Sequence, residues 1–329
     1  MAEIKVSVIV PIYNVREYIE RCARSLLGSS INDDIEFIFV NDATPDDSMD
    51  ILHSVILDFP KRQGQIKILE HEKNMGLPAA RNTGLANAIG KYIYHCDSDD
   101  YVEKNMLEML VDTADNEDAE IVWCDWFLTY KHRERYMKQP SYSTSEEAVK
   151  GMLSGGMKYN VWNKLVRRSL YIDNHIIFPS GYGMGEDMTM IKLFSCAKKI
   201  AYLGRAFYHY VKMNANAFSQ TYSEKHLLEL QHNVQDVLKY LTARYGNSLK
   251  NEYEFFKLDV KYHFLISDDK NRYKLWQSWY PEANEYIGLN KCTSIRSNIL
   301  QRLAVKGQFW LICIYYKLVY RVIYRMIFR

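Results

Sequence analysis

The chain of 329 residues is long enough for one large core or two domains, and its 42 Lys plus Arg nearly balance 40 Asp plus Glu, so no global field marks it as a nucleic-acid binder. Its six cysteines, at positions 22, 96, 124, 196, 292 and 313, form no CxxC pair and no zinc-type spacing, which argues against a structural zinc site or a disulfide framework and suits a reducing compartment.

Lys5 to Val10 is a β-branched, almost continuously apolar run that ends at Pro11, the pattern of a strand buried on both faces in a parallel sheet. Pro11-Ile12-Tyr13-Asn14 is the loop after it. Tyr18, Ile19, Cys22 and Leu26 fall at helical spacing and predict a helix over 17–27, and Ile35 to Val40 reads as a second strand ending in Asn41-Asp42. A turn-rich segment, 43–48, opens a helix from Met49 to about Phe59; a strand at 66–69, a loop at 72–78, a helix at 79–89 and a strand at 91–95 follow. This alternation predicts an open, mostly parallel, Rossmann-like α/β sheet flanked by helices, in which ligands bind beyond the carboxyl ends of the strands. Asn14, Asp42, Asn74 and Asp97 each follow a strand and are expected to meet in one crevice. No dinucleotide fingerprint and no P-loop occurs, so a phosphate must be held another way.

The fourth strand runs into Asp97-Ser98-Asp99-Asp100, three carboxylates in four residues. Such a cluster suits a hard divalent cation, Mn2+ or Mg2+, held by one or two carboxylates with room for phosphate oxygens. It equally suits a solvated turn capping the next helix. The residues themselves leave both readings open.

Four segments in order, Val8 to Asn14, Val40 to Ser48, Asn74 to Asn82 and Asp97 to Asp100, resemble the family 2 glycosyltransferases of the GT-A fold, and the resemblance covers roughly residues 4 to 215. It departs at Asn41-Asp42-Ala43-Thr44, where the family usually has Asp-Asp-Gly-Ser. The resemblance implies that Pro11, Tyr13 and Asn14 line a nucleotide pocket and that Asp42 accepts a hydrogen bond from the base, uracil. It sets Asn74, Gly76 and Arg81 beside the ribose and diphosphate, and gives Asp97 and Ser98 to the donor. It puts Asp99 on the metal and leaves Asp100 to cap the next helix. Arg81 reads otherwise as a helix-surface residue in an ordinary ion pair.

Further on, a helix is expected at 106–116, a strand at 120–127 and a mobile loop at 129–145, then a helix at 145–153. Trp162 and Lys164, in a Trp-x-Lys-Leu segment, are expected on the acceptor side by the same resemblance. In Gly181 to Met188, glycines flank Glu186-Asp187 at the start of a helix. The pair is either a cap favoured by the helix dipole or a catalytic site, with Asp187 as the general base of an inverting transfer and Glu186 orienting its neighbours. A strand is expected at 199–203; His209, in the 206–210 segment, is either a metal ligand beside Asp99 or a structural histidine.

Helices over 222–245 and 251–266 carry no second active-site motif. Beyond Glu285 the sequence holds no Asp or Glu. Its last stretch is aromatic, apolar and basic, with Lys317, Arg321, Arg325 and Arg329 every four residues. The charge-free run 307–316 is far short of the roughly 20 residues that span a bilayer, so the tail reads as an interfacial helix on an anionic membrane or as a helix docked on the core. The N-terminus lacks a secretory pattern, which makes the expected location the cytoplasmic face of the membrane.

The expected organisation is a GT-A domain at 1–215 (nucleotide part about 1–105, acceptor part about 106–215), a helical extension at 216–305 and a membrane-associating tail at 306–329. The expected function is an inverting, metal-dependent transfer of a sugar from a nucleotide donor to a glycan or lipid-linked acceptor. A non-catalytic binding protein on the same fold and a sugar nucleotidyltransferase are the rivals.

Overall fold

The computed structural model describes residues 4–212 and 223–319. They form two compact units, the described parts of Met1–Glu146 with Tyr159–Val237, and of Glu147–Lys158 with Leu238–Arg329. The sequence did not suggest that 147–158 belongs with the C-terminal helices, or that the unit boundary lies inside a helix. The expected boundary at 215/216 lies outside the described residues.

The first unit is built on a mixed sheet. Strands β1 (Val6–Ile12), β2 (Ile35–Asn41), β3 (Ile66–Glu70) and β4 (Tyr92–His95) are parallel, in the order β3-β2-β1-β4. Helices α1 (Ile19–Leu27), α2 (Ser48–Leu57) and α3 (Leu77–Asn87) connect them. Val6 to Ile12 are all buried, as the continuous apolar run requires of a strand covered on both faces. β2 and β3 lie on one side of β1 and β4 on the other, so the strand order reverses between β1 and β4. That reversal opens a crevice at their carboxyl ends.

The sheet continues through β8 (Lys164–Arg167), β6 (Ile121–Thr129), β9 (Ile200–Val211) and β5 (Tyr101–Val102), with β7 (Glu134–Met137) paired to β6. β8 is antiparallel to β4 and β6, whereas β6 and β9 are parallel. Helices α4 (Met106–Asn116), α5 (Ser145–Leu153), α6 (Arg168–Asp173) and α7 (Thr189–Cys196) complete the central part of the chain, followed by α8 (Glu224–Tyr245).

Three expectations are corrected. The segment 129–145 contains strand β7 rather than being wholly a loop. The strand expected at 199–203 runs on through the 206–210 segment as one strand, β9, whose irregularity opposite Cys124 and Asp125 absorbs Gly204-Arg205. Asp100 caps no helix: β5 intervenes, and the buried Asp100 carboxylate accepts hydrogen bonds from Tyr208 Oη (2.6 Å) and the Val211 amide (2.7 Å). It ties the acidic turn to β9.

Two small residues shape the crevice. Gly84 lets α3 lie against β1, since a Cβ there would stand 2.4 Å from Ile9 Cγ2. Ala43, where the resembled motif has Gly, sits at φ 53°, a left-handed conformation that costs a residue with a Cβ about 1–2 kcal/mol. The turn is braced by Thr44, whose amide donates to Asn41 Oδ1 (2.9 Å) and whose hydroxyl donates to Asp46 Oδ1 (2.7 Å). Ala43→Gly removes the strain but adds about 0.5–1 kcal/mol of chain entropy to the unfolded state. A net gain of roughly 0.5–1 kcal/mol is expected, read as a rise of a few degrees in Tm; a lowered Tm would refute the strain.

The second unit contains α9 (Lys250–Tyr262), α10 (Lys270–Ser278), α11 (Ile295–Val305) and α12 (Phe309–Tyr316). Its core includes Phe256, Phe264 and Trp276, with the buried Lys261 ammonium over the Trp276 ring at 4.5 Å. Lys261 donates to the carbonyls of Trp279 and Tyr280 and to Asn284 Oδ1, which supplies the partners a buried ammonium needs. Among the described residues no helix is long and apolar enough to cross a membrane.

Candidate active site

The crevice is organised by one buried guanidinium. Arg81 projects from α3, is 1% exposed, and holds three carboxylates. Its Nη2 donates to Asp97 Oδ1 at 2.8 Å, and its Nη1 donates to Glu186 Oε1 at 2.7 Å and Asp187 Oδ1 at 3.2 Å. Asp97 follows β4, and Glu186-Asp187 lie in a 3-10 turn, Glu186–Met188, that leads into α7. Arg81 is thus neither the surface ion pair nor the free cation beside a diphosphate that the sequence allowed. It joins strand end and turn into one acidic cluster, and its guanidinium also lies over the Phe178 ring at 5.5 Å.

Burial costs the carboxylates their hydration, and one guanidinium does not neutralise three of them. Desolvation pushes Glu186 up to about 8, helped by the charge of Asp187 and opposed by Arg81. Desolvation likewise raises Asp187 to about 6, opposed first by Arg81 and also by Lys164. Arg81 is held charged: burial alone would lower its pKa, and Asp97, Glu186 and Asp187 more than reverse this. Burial thus pushes both carboxyl groups above their ordinary range while Arg81 opposes the shift, and the Asp187 side chain keeps 26% of its surface open. Carboxyl groups raised in this way suit acid–base chemistry.

The glycine-flanked turn is pinned from both sides. Asn82, next to Arg81 on α3, donates to the Phe178 carbonyl (2.8 Å) and Ser180 Oγ (3.1 Å) and accepts from the Phe178 amide (2.9 Å). On α8, Asn233 donates to the carbonyls of Tyr182 and Met184, Glu229 accepts from the Met184 amide, and His232 stacks on Tyr182 at 3.6 Å. Gly185 adopts φ 88°, open to glycine at little cost. Asn82, Glu229 and Asn233 were missed from sequence. Asn82 had a signal in standing beside Arg81 within a quoted motif, whereas the two α8 residues had none.

The residues expected on the donor side lie on neighbouring strand ends. Pro11 is buried at the end of β1, and Tyr13 and Asn14 are exposed beyond it. Asn14 has φ 55°, and its amide donates to Thr44 Oγ1 at 2.8 Å. Asp42 is buried and turned toward the protein. Its oxygens accept from the Met75 and Gly76 amides at 2.8 Å each and meet His71 Nδ1 at 2.7 Å. Of the roughly four acceptor sites of a carboxylate, three are thus occupied by the 71–76 segment, so the first role of Asp42 is to fix that loop. Gly76, at φ 87°, leads into α3. Asn74 is exposed, Ser98 buried and Asp99 partly open.

Other expected roles are not met by the geometry. Both ring nitrogens of His209 face carboxylates, Nδ1 on Glu134 (2.7 Å) and Nε2 on Glu103 (3.0 Å), and the ring is stacked between Tyr101 and Phe127. No nitrogen is left for a metal beside Asp99. Trp162 is 4% exposed and stacks on Tyr208 and Tyr210, so it belongs to the core rather than to an acceptor surface. Lys164 is buried as well, donating to the Asn160 carbonyl (2.7 Å) and Asn163 Oδ1 (2.8 Å). Burial lowers its pKa to about 7 against the opposing charge of Asp187. Its charge in turn lowers the Asp187 pKa.

Among the described residues no group of three or more His, Cys, Asp or Glu is placed to hold a metal. The carboxylates at the end of β4 are Asp97, one of whose oxygens accepts from Arg81, and Asp99. That short set fits an ion carried mainly by phosphate oxygens, as Mg2+ often is, and not an all-protein cage.

S. aureus TarS 1-349 in complex with UDP-GlcNAc shares this fold, with a TM-score of 0.61 over 96% of this chain and 91% of that one at 18% identity. The β1–β4 crevice with its acidic turn and mixed sheet is thus a GT-A architecture, the class the motifs led to. Residues 7–188, more than half of the chain, match the family described as Glycosyl transferase family 2, and the chain belongs to that family. It is 34% identical over 224 residues to the uncharacterized glycosyltransferase EpsJ of Bacillus subtilis (strain 168), covering 65% of this chain and 63% of EpsJ, a little under two thirds of that protein's length. It is 30% identical over 280 residues to the cholesterol galactosyltransferase of Borreliella burgdorferi, covering 79% of this chain and 74% of that one.

Proposed function

We propose that the chain is an inverting, divalent-cation-dependent hexosyl- or N-acetylhexosaminyltransferase. It would move a sugar from a nucleoside diphosphate donor, a UDP-sugar, to a hydroxyl of a glycan or lipid-linked saccharide in the synthesis of surface polysaccharide. The observation that carries this reading is the convergence of Asp97, Glu186 and Asp187 on Arg81 at the crevice where β1 and β4 part. Membership of the family and the UDP-GlcNAc bound by TarS support the donor class.

In this reading Asp187 takes the proton of the acceptor hydroxyl as its oxygen attacks the anomeric carbon, and the bond to the diphosphate breaks on the opposite face, inverting the configuration. Glu186, whose neutral form burial favours, shares Arg81 with Asp187, which limits the negative charge facing the donor phosphates. Arg81 is a positioning residue that aims Asp187 and Asp97 from beneath. Tyr13, Asn14 and Ser98 contact the donor, whose loop Asp42 braces through Gly76. A Mn2+ or Mg2+ ion held by Asp99 and Asp97 would act as a Lewis acid on the diphosphate.

A screen of nucleotide sugars for nucleoside diphosphate release with Mn2+ tests the reading; release from none of them would reject it. Asp99→Asn is expected to weaken cation-dependent UDP binding by about tenfold or more, the loss of one charged contact of about 1.5–3 kcal/mol. Unchanged binding by calorimetry would take Asp99 off the ion. Because the base must be ionised, kcat/KM should rise with pH through about 6 and level off above it. Lys164→Met removes a positive charge that lowers the Asp187 pKa, so the acid limb should move to higher pH; an unmoved limb would deny the coupling.

A further inference from the structure

The second unit carries exposed apolar residues on α11 and α12 and exposed lysines on α10 that the transfer reaction does not use. On α11, Ile295, Ile299, Arg302 and Lys306 recur at spacings of four, three and four, which sets them in one stripe of a helix, and all are exposed, Ile295 to 81%. On α12, Trp310 (63% exposed) and Ile314 repeat one turn apart, with exposed Leu318 a turn further on. Opposite α12, helix α10 presents Lys270 and Lys274, and the buried Tyr273 stacks on Phe309 at 5.0 Å. Between the two helices lies an open groove of about 560 Å3 lined by Tyr273, Phe309, Trp310 and Ile314 together with Asp268, Lys270 and Lys274. Each large apolar side chain left in water forgoes about 1.5–3 kcal/mol of burial, so so many on consecutive helices mark a surface built to be covered.

We propose that the α10–α12 groove and the exposed stripe of α11 dock together on an anionic phospholipid bilayer, with Trp310, Ile314 and Leu318 entering the acyl boundary and the groove receiving hydrocarbon. Charge selects the occupant. No Asp or Glu follows Glu285, and Lys291, Arg302, Lys306 and Lys317 are exposed on the same part of the chain, with Lys270 and Lys274 at the groove. Phosphate headgroups complement such a face, whereas a second copy of the chain would bring like charges together. The groove volume falls within the roughly 300–1,000 Å3 typical of small-ligand sites. The sequence had put membrane contact in 306–329. Arg321, Arg325 and Arg329 lie outside the described residues, and the contact proposed here uses helices that precede them. It does not rest on the proposed reaction, since docking needs neither donor nor acceptor.

The test is sedimentation of the full chain with vesicles of phosphatidylglycerol and phosphatidylcholine in equal parts, against phosphatidylcholine alone. Binding is expected to the anionic vesicles only. Ile299→Asp with Ile314→Asp, both at exposed positions, should weaken it by about tenfold or more. Lys270→Glu with Lys274→Glu should weaken it by roughly fivefold per lysine. A full-length variant with Arg321, Arg325 and Arg329 changed to Gln should still show the loss on adding the isoleucine substitutions. The proposal fails if anionic vesicles are not bound or if the isoleucine variant binds them as the parent does. It fails equally if the same substitutions dissolve a dimer of a chain that ignores vesicles.

Discussion

Asp187→Asn is expected to lower kcat by about 10²–10⁴-fold, the range supplied by a positioned general base, while leaving the affinity for UDP and the thermal stability nearly unchanged. Asparagine has the shape of aspartate, and its carbonyl oxygen can still accept from Arg81 Nη1 as Asp187 does at 3.2 Å; what it cannot do is take a proton. The discriminating companion is Glu186→Gln. Burial and the charge of Asp187 push the Glu186 pKa above its ordinary range and so favour its neutral form; an uncharged amide copies that form, and most of the transfer should survive. Two adjacent carboxyl groups on the same guanidinium would thus respond very differently. Single-turnover kinetics and UDP titration of both variants measure this, and full transfer by Asp187→Asn would end the base assignment.

Arg81→Met is expected to cost about 3–5 kcal/mol, the penalty of removing one partner from a buried charge cluster, and to abolish transfer together with the fixed geometry of the turn. For a unit of this size that corresponds to a Tm lower by roughly 10 °C. The sign of its pH dependence follows from the shifts. Asp187 and Glu186 already titrate above ordinary carboxyl groups because of burial, and losing Arg81 raises them further. A carboxyl whose pKa is higher folded than unfolded weakens the fold above its folded pKa and ceases to do so as pH falls below it. The stability deficit of Arg81→Met should therefore shrink on going from pH 8 to below 6. A deficit that is small, or constant over that window, would mean that Arg81 is not the counter-charge of the cluster.

The parts of this architecture legible in the sequence share a physical reason. A strand covered on both faces must be apolar along its length and must stop where the chain turns to solvent, so Val6 to Val10 and Tyr92 to His95 announce both themselves and the polar residues that follow, although β1 runs past Pro11 to Ile12, which reads as loop because a proline breaks the run. Glu186-Asp187 was legible because glycines isolate the pair in a turn. Arg81 was not, because a polar residue on a helix reads the same whether it faces water or a buried cluster, and its partners stand 16, 105 and 106 residues away. β7 was read as loop because its residues are mostly exposed and charged, with pairing only to β6, so no alternation survives in its composition. The resemblance sets Trp162 and Lys164 on the acceptor side and leaves His209 either a ligand or structural, and no local pattern separates a side chain that faces a ligand from one that faces the sheet; here the three satisfy their neighbours. Trp162 stacks on Tyr208, Lys164 donates to Asn163, and His209 bridges Glu103 and Glu134. Asp100 shows the same limit, since its partner Tyr208 lies 108 residues away.

The most direct measurement is the anomeric configuration of the transferred sugar, followed by proton NMR with a UDP-sugar, Mn2+ and a saccharide acceptor. The expected result is a product of inverted configuration, formed by the parent and by Glu186→Gln and not by Asp187→Asn. Retention of configuration, or equal product from Asp187→Asn, would contradict a site in which Asp187, held by Arg81, draws the proton from the attacking hydroxyl.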